Sequence, residues 1–176
     1  MSNSLAEKLK QADPDLLKEV LRSAESRLDA QLTTALAADS RAMNFLGFTA
    51  ALAVASIGAS LAILASDEVL AAIGLIFGAG FVVAAWFAYE AAKPIDFEMI
   101  GNYPSEWVSD IVGSVSLHDA SAELAAHYDE MLKNNSAAMV ASGSKLTLSA
   151  KIAKISVLIG AVGALGFQVG RHLCWF

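Results

Sequence analysis

The sequence predicts an all-α membrane protein with three transmembrane helices. Two observations carry this: a composition too apolar for a soluble domain, and the collection of that apolarity into three blocks of spanning length. Hydrophobic residues make up 56% of the 176 and charged residues only 17%, with a mean hydropathy of +0.52. Soluble domains carry about 25% charged residues. Strand signals are absent outside β-branched runs within the apolar blocks, and there is neither a repeat nor a low-complexity linker. One helical membrane domain over 1–176 is the expectation.

The N-terminal stretch MSNSLAEKLKQADPD is polar and of mixed charge. It lacks a basic region followed by an apolar core, so it does not read as a secretory signal. Asp13-Pro14-Asp15 then has the form of a helix start: an acidic cap, proline in the first turn and a second acid beside it. Leu17, Leu21, Ala24, Leu28, Leu32 and Ala35 recur at spacings of three and four, which makes one apolar helix face. Neither Gly nor Pro interrupts 15–46, so the spacing predicts one helix of about 50 residues, roughly 75 Å, running on through the first span. From Ala42 to Ser66 no residue is charged. That run of 25 exceeds the roughly 20 residues a bilayer core requires.

Asp67 and Glu68 separate it from a second uncharged run, Val69 to Tyr89, and so short a link predicts an antiparallel transmembrane hairpin. Pro94, Gly101 and Pro104 then break the helix, and Pro104-Ser105-Glu106 is expected to open a short helix carrying Trp107, Ile111 and Val115. A further helix is expected from about His118, capped by Asp119 or Ser121, with Leu124, Tyr128, Met131 and Leu132 on its apolar face. The stretch KNNSAAMVASGSK reads as weak helix, kinked or broken at Asn134-Asn135 or Gly143. The third span is expected over about 152–170. Its uncharged core, Ile155–Gly170, is short at 16 residues, and Lys151, Lys154 and Arg171 extend its reach by snorkelling. A buried soluble helix is the alternative for this segment alone. The predicted spans are therefore about 42–66, 69–90 and 152–170.

Basic residues set the expected orientation. Arg41 precedes the first span, Lys93 follows the second, and Lys145, Lys151 and Lys154 precede the third, whereas the hairpin tip has no base. This puts the N-terminus and 93–151 in the cytoplasm and Asp67 with Glu68 outside. The C-terminus is then also outside; Arg171 opposes that placement, while Trp175 and Phe176 suit an interfacial anchor.

The net charge of −6 disfavours nucleic-acid binding. The lone Cys174 cannot close an internal disulfide. His118, Asp119, Glu123, His127, Asp129 and Glu130 crowd one short segment, but without the spacing of three or four converging metal ligands they read as a solvated face. No GxSxG or phosphate-loop pattern occurs. No catalytic residue, cofactor or metal is expected. No span carries the ionisable lining of an aqueous channel, and Glu90 reads as an interfacial charge.

Small residues carry the clearest packing signal. Gly74-xxx-Gly78, Gly160-xxx-Ala164 and Gly166-xxx-Gly170 are small-xxx-small pairs, and Ala51, Ala55 and Ala59 form a smooth face in the first span. They serve either self-association or packing within one protomer. Asp39 and Arg41, at i and i+2, do not face each other. They are either snorkelling collar charges or members of interhelical pairs, Asp39 with Lys93, Lys151 or Lys154 and Arg41 with Glu90 or Asp96.

The stretch ADSRAMNFLGFTAALA, with Asp39, Arg41, Ala42, Leu46, Gly47, Phe48 and Ala50, resembles the first-span signature of the Pycsar-type transmembrane effectors of bacterial anti-phage defence. The motif covers about 14 residues and the layout of spans covers most of the chain. The resemblance implies an inner-membrane effector that answers a cyclic nucleotide signal by impairing the membrane. With the small-residue faces, it leads to the expectation of a homo-oligomer in the lipid bilayer. The alternative is a non-toxic accessory or scaffold membrane protein that docks a partner through the N-terminal helix and the Trp107 region.

Overall fold

The computed structural model describes residues 2–173, and among them every regular element is helical. Three of these helices are long and apolar enough to cross a membrane. The order is α1 (Ser2–Leu9), α2 (Pro14–Ile63), α3 (Glu68–Ala92), a 3₁₀ turn (Pro104–Trp107), α4 (Val108–Val112) and α5 (Leu117–His172). Cys174, Trp175 and Phe176 lie outside the described residues.

The predicted start of α2 is realised as written. Asp13 Oδ1 accepts hydrogen bonds from the Asp15 and Leu16 N–H groups at 2.9 and 3.4 Å, and α2 continues unbroken for 50 residues. It ends at Ile63, so Leu64, Ala65 and Ser66 form the turn rather than the last residues of the first span. Asp67 caps α3, accepting from Leu70 N–H at 3.1 Å.

Two expectations about α5 are corrected. Its cap is Ser116, whose Oγ accepts from Asp119 N–H at 3.1 Å while its hydroxyl donates to Asp119 Oδ2 at 2.7 Å. Neither Asp119 nor Ser121 is the cap. Asn134-Asn135 and Gly143 do not break the helix: α5 runs 56 residues without interruption. Gly143 faces open space, and Asn135 has a tertiary task that makes helix its best conformation.

The chain's contacts group into two compact units. The first comprises 1–37 and 95–140. Here the predicted α2 face is the core-forming one. Leu17 packs with Ala122 and Ala125, Leu28 packs with Tyr128 and Met131, and Leu21 and Ala24 join at the edge.

The second unit comprises 38–94 and 141–176 and contains all three apolar blocks. Its helices meet through mostly small residues at spacings of three, four and seven, close to the period of a left-handed helical seam. In α5 the inward line is Ser149, Ala153, Ser156, Gly160, Gly163 and Phe167, each buried or half-buried. In α3 it includes Ala71, Gly74, Gly78, Phe81, Ala84, Ala88 and Ala91. From α2 come Ala42, Thr49, Ala53 and Ser60. Phe81 fills the centre with Ala53, Ala84 and Ala153, and meets Phe77 edge-on at 4.9 Å. Large side chains such as Val54, Ile76, Trp86, Val162 and Val169 point away from the seam and are exposed. Val157, Leu158 and Ile159 are exposed too, which is the reverse of a buried soluble helix and is the pattern lipid contact requires.

Candidate functional site

The glycines decide which small-residue faces are already occupied. A methyl group placed on Gly78 would lie 2.6 Å from Ile57 Cγ1, one on Gly160 would lie 2.5 Å from Phe77 Cδ2, and one on Gly163 would lie 2.9 Å from Ile73 Cγ2. On Gly74 it would collide with Ser60 Oγ, and on Gly80 with Ser156 Oγ. These glycines work within the protomer. The α5 register differs from the GxxxG-type reading: Gly160 is partnered along the helix by Ser156 and Gly163, whereas Ala164 is exposed and Gly166 has open space around it. The physical reason is the period. A four-residue step drifts around the helix, and only alternating steps of three and four stay on one face. Gly170 is half-buried on the inward line.

Outside the seam, α2 has a second small face with nothing on it. Gly47 and Gly58 have no atom within 4 Å of an added methyl, and Ala51, Ala55 and Ala62 are exposed. At 3.6 residues per turn these five lie opposite the buried Thr49, Ala53 and Ser60.

Polar ties close both ends of this unit. Ser149 Oγ donates to the Ala84 carbonyl at 2.5 Å, a buried cross-helix bond. Next to it Glu90 pairs with Lys93 and lies 3.8 Å from Lys145 Nζ, which also donates to the Glu90 carbonyl at 3.3 Å. The partners expected for Asp39 and Arg41 are thus engaged elsewhere or exposed. Asp39 is half-buried, Arg41 is exposed, and neither forms an ion pair among the described residues. At the hairpin end, Arg171 reaches Asp67 at 3.9 Å and lies over the Phe167 ring at 6.0 Å. Between the helices just inside that pair is an apolar groove of about 510 Å³, lined by Ser56, Ser60, Leu70, Gly74, Gly160 and Ala164 among others.

In the first unit, the acid- and histidine-rich stretch serves mainly to hold neighbouring chain. His118 Nε2 donates to the Lys10 carbonyl at 3.0 Å, so Nε2 carries the hydrogen. Glu123 takes Lys10 Nζ at 2.9 Å, with Glu7 at 3.0 Å on the same ammonium. Those two carboxylates hold the Lys10 ammonium well above the ordinary lysine range. Asp129 is paired with Lys133. No three metal-ligating side chains converge among the described residues.

The stretch after Pro94 is fixed by side chains of α5, Asn135 foremost. Asn135 is 1% exposed; its Oδ1 accepts from Glu98 N–H at 3.0 Å and its Nδ2 donates to the Glu98 carbonyl at 2.9 Å. The amide thereby pairs with backbone as a neighbouring strand would. Tyr128 OH accepts from Gly101 N–H at 3.3 Å, where Gly101 turns the chain at φ +99°. Burial pushes the Tyr128 phenol upward, against the opposing pull of the Gly101 hydrogen bond. Beyond this strap α4 presents Val108, Ile111 and Val112 on one bare face, the last two 74% and 80% exposed.

Lys10 and Ser149 carry no role in the sequence reading, and Asn135 enters it only as a helix breaker. Only Ser149 has a legible signal, its place in the Ser149–Ala153–Ser156–Gly160 line. Comparison with known protein families, with curated proteins and with solved structures finds no match.

Proposed function

We propose that this chain is a small self-associating protein of the inner membrane, of the defence-effector kind, that perturbs membrane integrity on signalling. The observation that carries the reading is the vacant small face of α2, Gly47, Ala51, Ala55, Gly58 and Ala62, opposite the buried one. In lipid, helices associate where small residues let backbones approach, and this face has no partner within the protomer. The resemblance at Asp39, Arg41, Ala42 and Gly47 lies on the same helix and supports an effector role and a cyclic nucleotide trigger. The charge pattern supports a cytoplasmic N-terminus. The mechanism is a change in helix packing between protomers rather than a chemical step. Expression in cells stained with a membrane-potential dye tests it, with and without an added cyclic nucleotide. Depolarisation that Gly58→Leu abolishes is the expected result; full polarisation and normal growth under both conditions would sink the reading.

A second reading, a non-toxic accessory protein that docks a partner, is favoured by one observation. The bare face of α4 lies in a stretch, 95–132, that has eight acidic residues and no Lys or Arg. Exposed apolar side chains among charges of one sign suit a basic, apolar-faced partner. Stoichiometric co-purification of such a protein from native membranes, lost in Ile111→Ser, would favour this reading; a pure homo-oligomer favours the first.

A further inference from the structure

We propose that the apolar groove of the second unit holds one acyl chain of a phospholipid whose primary-ammonium headgroup, as in phosphatidylethanolamine, is read by the charges above it. The inference rests on residence in a membrane and is independent of any effector activity.

The groove lies in the span of all three long helices, and its walls are apolar apart from two hydroxyls. Ser60 Oγ already donates to the Ser56 carbonyl at 2.7 Å, and Ser56 Oγ to the Leu52 carbonyl at 2.6 Å, so neither asks for a polar ligand. Ala59, Ala161 and Ala164 on the lining are exposed, so the groove opens sideways to whatever surrounds the helices. For spans in a bilayer that surrounding is hydrocarbon. From Leu70 to Phe77 the α3 wall is about 10 Å tall, most of the roughly 15 Å of hydrocarbon in one leaflet. Its depth is that of a tail held upright.

What stands over the groove selects the headgroup. On α5, Val157, Gly160 and Ala164 form one wall, and Arg171 lies on the same face two turns beyond Ala164, past Phe167 and Gln168. On α3, Leu70 and Gly74 form another, and Asp67 precedes them by three and seven. The two charges meet at 3.9 Å, with Glu68 exposed beside Asp67. Arg171 is 66% exposed and has five donors, most of them free for a phosphate. Asp67 and Glu68 accept hydrogen bonds from a primary ammonium, which choline's methyl groups cannot donate. They also repel a headgroup of net negative charge. Both signs are present, so the zwitterion with N–H donors is the best match.

Native mass spectrometry of the full-length protein tests this, after release from bilayers containing equal parts of phosphatidylethanolamine, phosphatidylcholine and phosphatidylglycerol with identical tails. One phosphatidylethanolamine per protomer should persist at collision energies that strip the other two. Ala164→Phe, which fills the groove from an exposed wall, should remove that adduct, and Ala161→Leu serves if the first variant does not fold. Arg171→Gln should weaken retention roughly tenfold, the value of one charged hydrogen bond. Glu68→Gln should narrow the preference over phosphatidylcholine. Equal retention of all three lipids, or an adduct untouched by both groove-filling variants, overturns the proposal. So does a groove-filling variant that changes the oligomer number but not the lipid, which would make the groove a seat for a second copy. None of these readouts depends on membrane depolarisation, so the two ideas fail separately.

Discussion

The first unit and the second are both all-helical, yet they are held by opposite means. The first, 1–37 with 95–140, uses large side chains and polar ties: Leu28, Tyr128 and Met131 fill its core, and Asn135 and His118 each bond a backbone group far along the chain. The second, 38–94 with 141–176, brings backbones together by omitting side chains, at Gly74, Gly78, Gly160 and Gly163. The difference follows from the medium each is suited to. In water, burying Leu and Met is itself the driving force. Among lipid tails apolar burial gains nothing, and close packing plus a few buried hydrogen bonds such as Ser149 to Ala84 must do the work.

The sharpest way to break the first unit is Asn135→Leu. It leaves the Glu98 N–H and carbonyl without partners, at a cost of roughly 2–4 kcal/mol for two partly buried groups. Thermal unfolding of the first unit should come earlier, and limited proteolysis should cut near Glu98–Tyr103. Asn135→Asp, which keeps the acceptor and loses the donor, should fall between.

In the second unit, Gly160→Leu should cost about 1–3 kcal/mol by overpacking against Phe77. Gly166→Leu, six residues on and in open space, should leave unfolding in detergent almost unchanged. Equal effects of the two would show that the seam is not where the structure puts it.

Gly58→Leu sharpens the contrast between inner and outer faces. The protomer's stability should shift by less than about 0.5 kcal/mol, as at other open surface sites, while the proposed self-association, followed by light scattering, should be lost. The smallest effect is expected from Lys10→Ala, a minor drop in melting temperature that vanishes at high salt. Because pairing raises the Lys10 value in the folded state, its contribution is complete below the ordinary 10.5 and fades as the pH rises beyond it. Parallel melts at neutral pH and above 10.5 check the sign.

Much of this molecule is readable without coordinates. Capping chemistry, charge distribution and apolar periodicity together determine that α2 starts at Asp13-Pro14 and runs unbroken through an apolar block, that Asp67 and Glu68 mark a tight hairpin, and that Leu17, Leu28, Tyr128 and Met131 are core. These are local or periodic properties, and periodicity survives without a partner. What the tertiary structure decided is partnership. Gly160 and Gly166 look alike in sequence, yet one is pressed against Phe77 and the other is bare, because only position on the helix face relative to a neighbour separates them. Asn135 looks like a helix breaker and is instead the residue that straps 95–103 in place, because its amide meets a backbone 37 residues away. Asp39 and Arg41 read equally as collar charges or as members of interhelical pairs, and spacing does not show that Glu90 is taken by Lys93 one turn away and approached by Lys145, 55 residues on. Chain-local chemistry writes itself into spacing; contacts between distant residues depend on which faces the fold turns towards each other.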